Sequence, residues 1–147
     1  MYSDTQLGAA HLVAAALGRA LGIRVVIANV PTACTDGNTI YLPPLPVTVS
    51  TQLIAMLWGF IHHEAGHCRH SDFSVLQDLA SEQDALLLNL ARVFEDIRME
   101  RAHIALYPGA HRILCELVEV LVKIGFFNPP DPDHSPASLA VGLILKS

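Results

Sequence analysis

Ile61-His62-His63-Glu64-Ala65-Gly66-His67-Cys68 is the stretch from which the rest of the chain is best read. It closes an apolar run that opens at Ser50 or Thr51 and carries Leu53, Ile54, Met56, Leu57, Phe60 and Ile61 at helical spacing. The run is too short to cross a bilayer, which takes roughly 20 apolar residues, so it predicts a helix buried on most sides. On such a helix His63 and His67, four positions apart, sit about 40° from each other on one face, and both imidazoles can reach one metal ion. Glu64 is rotated by about 100° from His63, where it reaches a water beside the metal instead of binding the metal itself. That is the placement of a general base, and a zinc ion would bring the water's pKa toward about 7. With eight His and six Glu in 147 residues, chance placement gives this HExxH spacing about 0.02 times per chain. Gly66, inside the motif, costs a helix about 1 kcal/mol against Ala, and the expected return is close approach of another segment near the metal.

A catalytic zinc takes three protein ligands and one open position, so the pair of histidines requires a third donor downstream. Arg92-Val93-Phe94-Glu95-Asp96-Ile97-Arg98-Met99-Glu100 supplies acids on an otherwise apolar helix, some 28 positions after His67. Acids beside Val93, Phe94 and Ile97 are costly to bury unless paired or metal-bound. Glu95 is the first choice for the ligand and Asp96 its rival. If Glu95 binds the metal, Asp96 is free to accept the Nδ1–H of a ligand histidine and fix its tautomer. Arg98, Glu100 and Arg101 read as an exposed charged face, and Arg92 with Asp96 as an ordinary pair four residues apart. His62 is expected to face away from the metal, and His70 to meet solvent or line the cleft. His103, Tyr107 and His111 are candidates for the donor that steadies an oxyanion. Cys34 is expected to be a small buried thiol, with approach to the metal as the minor alternative.

Working outward, Leu7, Ala10, Leu12, Val13, Ala16, Leu17 and Leu21 predict a first helix from Thr5 to Leu21, capped by Asp4 and stopped at Gly22. Ile23 to Ala28 is short and β-branched, as a strand is. Thr35-Asp36-Gly37-Asn38 is turn chemistry, and Thr39-Ile40-Tyr41-Leu42 predicts a second strand that Pro43, Pro44 and Pro46 either end or keep at a sheet edge. An exposed edge beside a metal helix can accept an extended peptide by strand addition. Residues from about Ser71 to Ser81 read as polar and weakly periodic. A long helix is expected from Glu82 or Asp84 through Arg101, and a last one from about Gly109 to Ile124. Asn128 to Asp133 reads as a Pro-rich linker, and the apolar stretch Leu139 to Leu145 as the start of a further segment. The expected division is therefore a domain over residues 1–127 and a linker with the opening of a C-terminal segment over 128–147, the front part of a longer polypeptide.

The chain is 52% hydrophobic, enough for the core of one domain, and carries a net charge of −5 with no Lys/Arg cluster. Neither a nucleic acid nor an anionic membrane surface is an expected partner. Three cysteines without CxxC spacing form neither a disulfide framework nor a zinc knuckle, and they point to a reducing, cytoplasmic setting.

His63-Glu64-xx-His67 followed by an acidic third ligand resembles the gluzincin class of zinc metallopeptidases. Thr35-Asp36-Gly37-Asn38-Thr39-Ile40-Tyr41-Leu42-Pro43 and Phe94-Glu95-Asp96-Ile97-Arg98-xx-Arg101 look like the metallopeptidase-like region at the front of cobaltochelatase-subunit-like proteins, which often carry a von Willebrand A domain further along and have phage and mobile-element relatives. The resemblance covers roughly Ile23 to Arg101. It implies an α+β, zincin-like fold, mainly helical with a small sheet bearing an exposed edge strand. It further implies zinc on His63, His67 and Glu95, Glu64 as acid/base, and a protein or peptide substrate. The chain departs from the larger gluzincins in lacking their ExxxD arrangement, since Met99 stands four positions after Glu95, which leaves Asp96 as a substitute for the orienting acid. The resulting expectation is a zinc peptidase, with processing of its own longer precursor as one substrate hypothesis. The alternative is a non-catalytic zinc-containing binding or assembly domain of a chelatase-like or phage protein.

Overall fold

The computed structural model describes residues 22–44 and 50–126. Within them three strands precede four helices: β1 (Arg24–Ile27), β2 (Cys34–Thr35), β3 (Thr39–Leu42), α1 (Thr51–His70), α2 (Phe73–Ser81), α3 (Ala85–Leu106) and α4 (Ala110–Lys123). The described part is thus mainly helical with one small sheet, as α+β implies. The first helix, the linker and the final apolar stretch expected from the sequence lie outside the described residues.

The turn between β2 and β3 follows from its side chains. The Asp36 carboxylate accepts the backbone N–H of Asn38 at 2.9 Å and of Thr39 at 2.8 Å, while the Thr35 hydroxyl donates to the Thr39 carbonyl at 2.7 Å. Local bonds of this kind hold the chain reversal without help from the core. The sheet order is β1-β3-β2, with β1 parallel and β2 antiparallel to β3. This corrects the expectation that Thr39 to Leu42 forms the exposed edge: β3 is the central strand, and Ile40 and Leu42 are 0% and 1% exposed. The prolines that follow end β3 but leave all four of its residues free to pair, and both flanks are taken. Among the described residues the edges are β1 and the two-residue β2.

Ser50 caps α1, its hydroxyl accepting the N–H of Leu53 at 3.1 Å. One face of the helix presents Leu57, Ile61 and Ala65 to Ala33, Ile40 and Leu42 of the sheet side, and these six residues form the buried core cluster. The other face meets α4 and α3 through two glycines. A Cβ on Gly59 would fall 2.4 Å from the Leu117 Cβ, and one on Gly66 would fall 2.1 Å from the Met99 sulfur. The close approach expected at Gly66 is therefore present, and its neighbour is α3, the helix that carries the acidic cluster.

The Ser71 to Ser81 stretch departs from its expected irregularity. Asp72 accepts from the Ser74 N–H at 3.0 Å and from its hydroxyl at 2.6 Å, and nine residues of helix follow. The signals, an Asp N-cap and the short apolar stripe Val75, Leu76 and Leu79, are present in the sequence but weak, and packing against α3 makes the helix worth forming. Asp84 likewise caps α3 through the Leu87 N–H at 3.0 Å, fixing the start within the expected range, while the helix runs five residues past Arg101. No helix among the described residues is long and apolar enough to cross a membrane.

Candidate metal centre

Three ligand-type atoms converge where α1 crosses α3: His63 Nε2, His67 Nε2 and Asp96 Oδ1. The two imidazole nitrogens are 3.2 Å apart, and Asp96 Oδ1 lies 3.1 Å from His67 Nε2 and 4.0 Å from His63 Nε2. A tetrahedral ion with bonds of about 2.0–2.1 Å holds its donors about 3.3–3.4 Å apart, so two of the three separations already match and the third closes by about 0.6 Å. The group could hold a metal ion.

The second nitrogen of each imidazole explains why Nε2 faces the centre. His63 Nδ1 donates to Glu100 Oε1 at 2.9 Å, because an ionised carboxylate can only accept. His67 Nδ1 meets the Ser71 hydroxyl at 2.8 Å, and Ser71 is bonded in turn to the Glu95 carboxylate. With Ser71 donating to Glu95, its oxygen accepts from His67 Nδ1–H, leaving Nε2 of both histidines as lone pairs. Two lone pairs and a carboxylate oxygen then face one another with no hydrogen between them, an arrangement a cation satisfies. Such outer partners orient metal-binding histidines and raise their basicity.

Charge follows the same plan. Burial opposes protonation of His63, but the bond to Glu100 and the nearby Asp96 and Glu64 carboxylates outweigh it and raise its pKa. Glu64 is 8% exposed, and burial pushes its carboxyl above the ordinary value against the opposing pull of His63 and His67. A carboxyl raised in this way is poised to exchange a proton. Asp96 is 44% exposed, so the centre opens to solvent on that side.

Of the expected ligands, the structure brings His63 and His67 together and does not bring Glu95 with them. Glu95 forms a two-pronged pair with Arg98, at 2.7 Å from both Nε and Nη2, and that guanidinium holds its carboxyl down at about 2. The physical reason is helical phase. Residues 95 and 96 point about 100° apart on α3, and the contact between Gly66 and Met99 sets the helix with Asp96 turned to the imidazoles. Asp96 is the third donor of the group, in place of the pairing with Arg92. Glu100, expected on an exposed charged face, bonds His63 instead. The signal that could have found it is its spacing of four from Asp96, which gives DxxxE where counting from Glu95 gave no ExxxD.

No family model, curated protein or solved structure matches this chain.

The remaining candidates are dispersed. His62 faces away from the centre, as expected, with Nδ1 3.2 Å from His103 Nε2. His103 is fully buried rather than facing a cleft, its ring 5.0 Å from that of Tyr107, and His111 is exposed on α4 with Nε2 3.8 Å from the Cys115 sulfur. Cys34 is exposed on β2 and not buried, with its thiol pushed up by partial burial and by the Glu64 charge. His70 borders a cavity of about 350 Å³ between α2 and α3, together with Val75, Leu76, Leu79, Ala91 and the Glu95–Arg98 pair.

Proposed function

We propose that this chain is a zinc-dependent peptidase of zincin-like fold, with His63, His67 and Asp96 holding the ion and Glu64 as general base. The observation that carries the reading is the convergence of three oriented donors beside a buried carboxylate, on the open side of which Asp96 meets solvent. Zinc bound there supplies Lewis acidity, which lowers the pKa of water and polarises a substrate carbonyl. Glu64 takes the proton of the attacking water and passes it to the leaving amine. Its raised pKa suits both transfers, since the acid form must be reached and given up again near neutral pH. Glu100 and the Ser71–Glu95–Arg98 chain hold the imidazoles in one orientation. Arg98 also donates to the His70 carbonyl, tying α3 to the last turn of α1.

A non-catalytic domain with structural zinc would be better served by four protein ligands closing the site. Three donors with an exposed third member favour the catalytic reading. The notion of self-processing stands only as a substrate hypothesis. The test is hydrolysis of a quenched-fluorescent peptide library by the zinc-loaded full chain and by Glu64→Gln. The expected result is cleavage by the wild type and a drop of about 10²–10⁴-fold in kcat/KM for Glu64→Gln at unchanged zinc content. Zinc-loaded wild type that cleaves nothing in the library, or Glu64→Gln as active as wild type, overturns the reading.

A further inference from the structure

The cavity of about 350 Å³ between α2 and α3 has no part in the chemistry assigned to the centre. Its walls are aliphatic: Val75, Leu76 and Leu79, spaced to share one face of α2, line it with Ala91 of α3. Val75 remains 52% exposed, and Phe94, three positions beyond Ala91 and so beside it on the helix surface, is 62% exposed. The space is too large for a packing defect. An apolar void of about 150 Å³ already holds benzene, and ligand pockets begin at about 300 Å³. Its polar end joins it to the centre. The Glu95 carboxylate in the cavity wall is bonded to Ser71, whose hydroxyl meets Nδ1 of His67 at 2.8 Å. Glu95 also directly precedes Asp96, so the cavity and the donor group share one turn of α3. An extended peptide advances about 3.3 Å per residue, and with a carbonyl at the ion it reaches the cavity within about two or three residues.

We propose, resting on the reading of the centre as one that acts on peptides, that this cavity receives a large apolar side chain of the bound peptide, such as leucine, methionine or phenylalanine. Charged occupants fit it poorly. Asp72 and Glu95 outnumber Arg98, which disfavours an acidic side chain, and the Arg98 guanidinium is already engaged by both Glu95 oxygens and by the His70 carbonyl. A lysine finds its carboxylates taken: Glu95 is paired with Arg98, and Asp72 accepts from the Ser74 N–H and hydroxyl at the exposed start of α2. What the cavity offers without a partner is aliphatic surface, and a hydrocarbon side chain is its complement. Alanine would leave most of the space unfilled, so the preference is for size.

The zinc-loaded full chain is given matched peptides that carry Leu, Lys or Ala at each position near the cleaved bond. One position is expected to favour Leu over Ala by about tenfold or more in kcat/KM, the discrimination an apolar pocket gives to a few carbon atoms. Ala91→Phe, which fills the cavity, and Val75→Glu, at a half-exposed position that accommodates a charge, are each expected to bring that ratio near one at unchanged zinc content. Independently of turnover, N-acetyl-leucinamide is titrated into the metal-free full chain and followed by NMR. Saturable shifts are expected at the amides of Leu76, Leu79 and Ala91, and their loss in Ala91→Phe. Cleavage that prefers Lys, shows no preference, or keeps its preference for Leu in both variants overturns the pocket and leaves the peptidase reading standing, as do probe shifts confined to other residues. Saturable shifts at the cavity with no peptide cleaved overturn the peptidase reading instead and keep the pocket as a peptide-binding site.

Discussion

The sharpest difference between neighbouring side chains in this protein is between Asp96 and Glu95, and zinc affinity reads it directly. Asp96→Ala removes one of three donors and the only negative charge among them, leaving two imidazoles 3.2 Å apart. Loss of a partner that merely orients a ligand costs 10–100-fold in metal affinity, so loss of a donor is expected to cost more than about 100-fold, or upward of about 2.7 kcal/mol. Glu100→Gln keeps an acceptor for His63 Nδ1 but removes its charge, and falls in the range of about 10–100-fold. Glu95→Gln acts on His67 through Ser71 and through a weaker direct charge interaction, and is expected to cost less than about tenfold. The assay is competition for zinc against a chromophoric chelator at fixed pH, with circular dichroism to confirm that each variant keeps its helices. The expected order of loss is Asp96→Ala, then Glu100→Gln, then Glu95→Gln. A larger loss for Glu95→Gln than for Asp96→Ala would refute the placement of α3 and restore Glu95 as the ligand.

Burial holds His103 down at about 4, against an ordinary value of 6.5, and lowers His62 and His70 as well. The unfolded chain therefore binds more protons than the folded one between these values, and metal-free protein should lose stability as pH falls from about 6.5 toward about 4. Urea melts at several pH values should show a shallower loss in His103→Gln, and an unchanged slope would count against the buried, neutral His103. Glu95 behaves as an ordinary depressed carboxylate: its contribution is present above its unfolded value of 4.5 and is lost as pH falls toward about 2. Arg98→Gln should remove most of that acid-side loss in the same melts. At the helix contacts, Gly59→Ala should destabilise by about 1–3 kcal/mol, because the obstructing atom is the Leu117 Cβ and cannot rotate away. Gly66→Ala should cost less, since the Met99 sulfur can swing aside, yet weaken zinc binding more, and equal zinc affinity in the two variants would contradict the role of Met99 in setting α3.

Sequence periodicity placed α1, α3 and α4, because each carries a repeating apolar stripe, and the first two also have recognisable caps in Ser50 and Asp84. The spacing of His63, Glu64 and His67 likewise defined two donors and a base, since one helix holds them at fixed angles whatever surrounds it. The third donor was a different kind of question. Glu95 and Asp96 are adjacent, both acidic and on the same predicted helix, and local rules cannot set the rotation of one helix against another. That rotation comes from packing, where Gly66 admits Met99 and thereby turns Asp96 toward the imidazoles, while Glu95 is held by Arg98 on its own helix. Pairing partners in the sheet were equally beyond local reading. Prolines mark where β3 ends, but they do not say that β1 returns parallel to one flank and β2 antiparallel to the other. The burial of His103 between His62 and His70 depends on the same crossing of α1 and α3, because residues separated by 41 and 33 positions in the chain meet only when two helices are brought into contact.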